Sequence, residues 1–203
     1  MKISLEQVGK KFQRHWIFKD LNYSFSKGNT YALLGPNGSG KSTLLRIIAG
    51  IQAPSKGKVI HEHNGRAIEV NHLHPFIAFS APGMEIVDEF TLREFLEFHF
   101  SFKKPLQGLN VNQIIDIIGL SHAADKLLDD FSSGMKQRVK LAQAIFSNTP
   151  VLLLDEPCTN LDDNGVSQYL DWITQYSTNR LVVVASNDER EYGFCKERIW
   201  VKG

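Results

Sequence analysis

The sequence predicts an α/β protein: a parallel-sheet core interrupted by a helical insertion. Three observations predict it. Short apolar runs recur along the chain, TYALL (30–34), FIAFSA (76–81), VLLLDEP (151–157) and LVVVAS (181–186), each with the length of a buried strand. Between them lie segments of helical spacing, such as LLRIIAGI (44–51) and GVSQYLDWITQYS (165–177). Strands alternating with helices imply parallel pairing through right-handed crossovers. From about Gly83 to Asn148 the strand rhythm stops, and TLREFLEFHF, VNQIIDIIGL and GMKQRVKLAQAIF all space their apolar residues at i, i+3, i+4.

Taken in order, the chain opens on alternating segments, KISLEQV and WIFKDLNYSF, which read as strands. Ser26–Asn29 is a turn. TYALL, the glycine-rich GPNGSGKST and the helix LLRIIAGI follow. GKVIHEHNGRAIEV reads as a hairpin turning at Asn64-Gly65. After the insertion come VLLLDEP, the helix GVSQYLDWITQYS, LVVVAS and a last strand in ERIWVKG. The 203 residues make one domain, with the core in 1–82 and 149–203 and the helical part at about 83–148.

Composition narrows the function classes. A formal net charge of +1 gives no general attraction to nucleic acid or an anionic membrane. Cys158 and Cys195 are far apart, so neither a disulfide scaffold nor a zinc knuckle is expected, and a reducing compartment fits. MKISLEQVGKKF has no apolar core of a signal peptide, and no window is long and apolar enough to span a bilayer. A membrane role would therefore come through a partner chain.

Gly35-Pro36-Asn37-Gly38-Ser39-Gly40-Lys41-Ser42 matches G-x-x-x-x-G-K-[ST] in full, between a strand and a helix. Glycines let the backbone curl so that N–H groups point at phosphate oxygens. The helix beginning near Lys41 adds its positive end. Lys41 carries a charge to the β- and γ-phosphates, and the Ser42 hydroxyl is a Mg²⁺ ligand. With Thr43, these residues are the candidate ATP-binding loop. In VLLLDEP, burial explains the leucines but not two acids at the end of the run. Asp155 is placed to hold Mg²⁺, through water, and Glu156 to polarise the water that attacks the γ-phosphate.

Further motifs are more specific. Residues 131–139, FSSGMKQRV, resemble the LSGGQ-type signature of ATP-binding-cassette (ABC) ATPases, and Thr159-Asn160-Leu161-Asp162 looks like that family's D-loop. The resemblance spans almost the whole chain and identifies it as similar to the ATP-binding subunit of an ABC transporter. It implies a RecA-like P-loop core, an antiparallel β subdomain and a helical signature subdomain. It also implies two cassettes, identical or paralogous, packed head to tail around two ATP molecules on the cytoplasmic face of a membrane, beneath separate transmembrane subunits. Ser132, Ser133 and Gly134 match signature positions facing the partner's γ-phosphate, Asp162 closes the D-loop, and Phe12 matches the aromatic that stacks on adenine, with Trp16 a nearby rival.

The chain departs from the pattern in three places. Phe131, Ser133 and Met135 alter the signature. Pro82 stands where the family has its Q-loop glutamine, with Ser80 a candidate substitute. Asn187, in VVVASND, occupies the position of the switch histidine; its amide can donate to a γ-phosphate but cannot carry a proton. A working ATPase with modified coupling is the favoured expectation. The alternatives are a non-hydrolysing regulatory module, favoured by Pro82 and Asn187, and a soluble ABC ATPase of DNA repair or translation. The last usually carries long insertions or tandem cassettes and a basic stripe, which this chain lacks.

Other features read more plainly. His61, His63, His72 and His74 form two H-x-H pairs, each expected on one strand face and more often solvated than metal-binding. Phe95, Phe98 and Phe102 share a helical face, with core packing the default and docking of a membrane subunit a further use implied by the resemblance. Cys158 is expected to be a small buried residue.

Overall fold

The computed structural model describes residues 1–201. Two sheets carry the structure. β1 (Lys2–Phe12), β2 (His15–Ser26), β4 (Lys56–His63) and β5 (Arg66–Ile68) form an antiparallel sheet in the order β2-β1-β4-β5. β3 (Thr30–Leu34), β6 (Ile77–Ser80), β7 (Val151–Asp155), β8 (Leu181–Ala185) and β9 (Glu197–Trp200) form a parallel sheet in the order β6-β7-β8-β3-β9. The expected final strand thus ends at Trp200; Lys202 and Gly203 of ERIWVKG lie outside the described residues.

The local sequence explains both sheets. In β1, Ile3, Leu5 and Val8 are buried, a period of two broken by one residue. The break is a bulge at Gln7, whose φ of 49° lets the strand absorb the extra residue and keep Val8 facing inward. The hairpin turns at Asn64 and Gly65, both with positive φ, as a two-residue turn between twisted strands requires. β7 and β8 are buried at every position because both faces of the parallel sheet are covered. Leu152, Leu154, Val182 and Val184 face the helical insertion and α5 (Asp163–Tyr176). Val151, Leu153, Leu181 and Val183 face α1 (Lys41–Ile48) and the antiparallel sheet.

Between β6 and β7 the chain is helical, as the spacing predicts: α2 (Leu92–Phe102), α3 (Val111–Ile117) and α4 (Ser133–Ile145). Thr91 with Glu94 and Asn110 with Gln113 form capping boxes that start α2 and α3. The far end of α4 is fixed by Arg180, which is buried and donates to the Ile145 carbonyl (2.6 Å) and Thr149 Oγ1 (2.8 Å). Burial pulls its guanidinium down to about 10. A cation at a helix C-terminus satisfies carbonyls that the helix cannot.

Two expectations change. Phe95 is buried, but Phe98 and Phe102 are 52% and 67% exposed and stack edge to face on each other, 5.1 Å between centroids. The apolar stripe of α2 is wider than the core it packs on. The histidines do not share solvated strand faces: His61 is buried and donates to the Ile48 carbonyl at 2.8 Å, His63 packs on Phe76, and His72 and His74 lie in 3₁₀ turns. Among the described residues, no three His, Cys, Asp or Glu side chains group to hold a metal.

Candidate active site

The carboxyl ends of β3, β7 and β8 lie side by side, where open parallel sheets bind ligands. β3 feeds the loop Gly35–Gly40, which curls and starts α1 at Lys41. Gly40 caps that helix with φ 94°, and a Cβ there would meet Ile17 Cγ2 at 2.3 Å. Gly35 is equally constrained, with Ser39 Oγ and the Val201 carbonyl 2.6 and 2.7 Å from where its Cβ would stand. No other residue type fits either position. Asn37 and Ser39 complete the bend, with Ser39 N–H donating to the Pro36 carbonyl at 3.1 Å.

The Lys41 ammonium is buried and donates to the carbonyls of Gly35 (2.8 Å) and Pro36 (3.3 Å), so it is folded back over its own loop. The Ser42 hydroxyl donates to Asp155 Oδ1 at 2.9 Å. Burial raises the Asp155 pKa, the Ser42 hydroxyl opposes the rise, and neighbouring Glu156 adds to it. A buried carboxylate paired with a hydroxyl is a hard oxygen donor set, and it fits Mg²⁺. A divalent cation there would also remove the penalty of the buried charge.

Glu156 follows β7 in a left-handed conformation, φ 43°, with its N–H bonded to the Ala185 carbonyl at 2.9 Å. Its side chain is exposed, on the wall shared by two clefts. One, of about 250 Å³, runs under the phosphate loop past Gly38, Gly40, Lys41, Ser42 and Thr43. The other, of about 340 Å³, is bounded by Asn37, Asn187 and Asp188. Asn187 Nδ2 donates to Asn37 Oδ1 across 2.8 Å. The structure therefore brings together the loop, both acids and the switch-position asparagine.

Phe12 stands at the end of β1, 49% exposed, with the Lys10 ammonium 5.4 Å from its ring centroid. It shares a cleft with Thr43, Arg46 and Phe79. Trp16 lies instead between Lys11 and Lys19 and covers Gly9.

The signature residues lie apart from the loop, in a third cleft containing Ser132, Ser133, Gly134, Asn160 and Asp162. Ser132 is the N-cap of α4 and accepts from the Met135 N–H at 3.3 Å. Asp162 caps α5 through the Gly165 N–H at 2.8 Å, a task separate from any ligand. At Pro82 the backbone carbonyl accepts from the Lys140 ammonium of α4 at 2.9 Å. Ser80 ends β6 buried, and its hydroxyl has no hydrogen bond among the described residues.

Two buried residues absent from the sequence expectations converge on the turn after Glu156. Gln137 of α4 donates to the Pro157 carbonyl at 2.6 Å, and the Cys158 N–H donates to Glu191 at 2.7 Å. Nothing in the pattern of ERE (189–191) distinguishes a buried acid from an exposed charge run.

With this geometry in place, comparison with known proteins is decisive. The family model described as ABC transporter matches residues 18–159. The chain belongs to that family. It is an ATP-binding, ATP-hydrolysing cassette of the ABC type. It is 29% identical over 195 residues to the uncharacterized ABC transporter ATP-binding protein YybJ of Bacillus subtilis, covering 93% of this chain and 86% of the relative. It is 32% identical over 178 residues to the probable sulfate/thiosulfate import ATP-binding protein CysA of Chlorella vulgaris, covering 86% and 75%. The dimeric ATP-binding cassette MJ0796, in a post-hydrolysis state with ADP and Pi, has the same fold, with TM-score 0.83 at 23% identity over 98% of this ABC chain and 94% of that one. No described helix of the cassette is long and apolar enough to cross a membrane.

Proposed function

We propose that this ABC cassette hydrolyses MgATP with Glu156 as general base, pairs with a second cassette on binding ATP, and drives transport through separate membrane subunits from the cytoplasmic face. The observation that carries this reading is the contact of Ser42 with Asp155, 2.9 Å, beside Glu156 on the wall of the phosphate-loop cleft. Mg²⁺ held there would neutralise charge on the β- and γ-phosphates. Loop N–H groups and Lys41 bind the phosphates. Glu156 takes a proton from water as its oxygen bonds to the γ-phosphorus and the bond to the β–γ bridging oxygen breaks, leaving ADP and phosphate. Asn187 donates an amide hydrogen to the γ-phosphate. Ser132, Ser133 and Gly134, at the start of α4 in the helical part (about 83–148), face the partner's nucleotide, where N–H groups at a helix N-terminus suit an anion. Phe12 offers its exposed ring to the adenine.

A Glu156→Gln chain retains ATP without turnover, so ATP with Mg²⁺ should shift it from its 23.0 kDa monomer to a dimer on size exclusion with light scattering, and chelation should reverse the shift. A variant that binds ATP and stays monomeric contradicts self-pairing.

A further inference from the structure

We propose that Glu191 is a positioning residue for hydrolysis: its buried carboxylate fixes the turn that aims Glu156. This rests on the ATPase reading above.

The turn needs holding. It begins at Glu156 (φ 43°) and ends at Asn160 (φ 65°), two left-handed residues that are not glycine. Such conformations cost about 1–3 kcal/mol each and persist only where the surroundings over-determine them. Inside the turn, the Thr159 N–H and hydroxyl both donate to the Glu156 carbonyl, at 3.2 and 2.9 Å. From outside, the Ala185 carbonyl takes the Glu156 N–H, and two side chains hold the rest. Gln137 takes the Pro157 carbonyl, and Glu191 Oε1 accepts the next N–H, that of Cys158, at 2.7 Å.

Glu191 is costly where it sits. It is 5% exposed, its Oε2 has no hydrogen bond, and no ion pair reaches it among the described residues. Arg190 beside it turns away to Asp188 and Asp163. Burial raises the carboxyl pKa; the Ser186 hydroxyl, then the Cys158 N–H, oppose the rise, and nearby Asp188 and Glu156 add to it. An apolar side chain of similar volume would spare the cost of the buried charge but leave the Cys158 N–H without its acceptor. What the carboxylate adds is a fixed acceptor for one N–H of the catalytic turn. Its own backbone is locked, since the Tyr169 hydroxyl donates to the Glu191 carbonyl at 2.9 Å. Glu191 lies four residues after Asn187, in the short helix α6 (Glu189–Tyr192). Its bond therefore joins the switch-position segment to the turn of the base, across the cleft they both line.

The test uses the full chain with Glu191→Gln, which keeps an acceptor oxygen, and Glu191→Met, which keeps the volume without one. ATP turnover and amide exchange at Cys158 are measured for each. In the Met variant kcat should fall about 10- to 100-fold, the scale of a small misplacement of a reacting group. KM for ATP should stay within about twofold, and the Gln variant should keep kcat within about threefold of wild type. Cys158 exchange should accelerate in Met and not in Gln. Wild-type kcat in a folded Met variant, or equal loss in both variants, overturns the proposal. If Met does not fold, a loss above about tenfold in Gln overturns it. If the wild type itself does not hydrolyse ATP, the ATPase reading fails, and unchanged Cys158 exchange in Met separately overturns the positioning claim.

Discussion

Asn187 donates its side-chain amide to the Asn37 side chain across 2.8 Å, so the end of β8 is latched to the phosphate loop by two groups that do not titrate. Hydrolysis should accordingly show no pH dependence from this position. Asn187→His introduces a group titrating near about 6.5 and should add a slope to log kcat between pH 5.5 and 8. Asn187→Ala removes a donor to developing charge and should cost about 10²-fold in kcat. A wild-type rate in Asn187→Ala would show that the latch serves only the loop.

Gly40→Ala puts a Cβ 2.3 Å from Ile17 Cγ2 at φ 94°. Strain alone should destabilise the chain by about 1–3 kcal/mol and abolish ATP binding, read by urea unfolding and nucleotide titration. Adding Ile17→Ala removes the shortest contact but leaves Phe18 Cδ1 at 3.0 Å and the backbone strain, so recovery should be partial.

Asp155→Asn separates binding from stability. Burial already disfavours the Asp155 carboxylate, so the nucleotide-free variant should melt no lower than wild type. The Mg²⁺ concentration for half-maximal turnover should rise about 10- to 100-fold. A lower melting temperature with an unchanged Mg²⁺ requirement would place Asp155 outside the metal site.

His99 makes stability depend on pH. Burial, then the nearby Lys103, pull its imidazole down to about 4, while its ring bonds Ser147 at 3.0 Å. The unfolded chain binds a proton at this residue near pH 6.5, and the folded chain does not until about pH 4. Stability from His99 is therefore complete above pH 6.5 and is lost as pH falls toward 4. At pH 5 the loss is about 2 kcal/mol as an upper bound. Asp155 and Glu191, whose pKa values are raised, act in the opposite direction as pH falls. Comparing urea midpoints of wild type and His99→Gln at pH 7.5 and 5 isolates the effect: the variant should lose less.

Local chemistry was legible in the sequence, and distant chemistry was not. The phosphate loop and the acids after β7 are written in adjacent residues, because a strand, a turn and a helix start must follow each other to make them. The bulge that turns Val8 inward was hidden, since alternation tolerates one extra residue. His61 looked solvated because its pairing gives no sign of the α1 carbonyl it meets 13 residues away. Lys140 on Pro82, Gln137 on Pro157 and Glu191 on Cys158 span 58, 20 and 33 residues, and side-chain bonds to backbone leave no spacing to read. Phe98 and Phe102 mislead in the other direction: helical spacing says which residues share a face, not how much of that face is covered.

The central claim is that the loop, Asp155 and Glu156 form a working hydrolytic site despite Asn187 and Pro82. Its most direct test is Mg²⁺-dependent ATP hydrolysis by the purified chain beside Glu156→Gln prepared identically, with the membrane partner added where it is in hand. The wild type should turn over ATP, and the variant should lose about 10²–10⁴-fold in rate while still binding ATP. Equal rates in the two proteins, or ATP binding with no turnover in either once the partner is present, would contradict it.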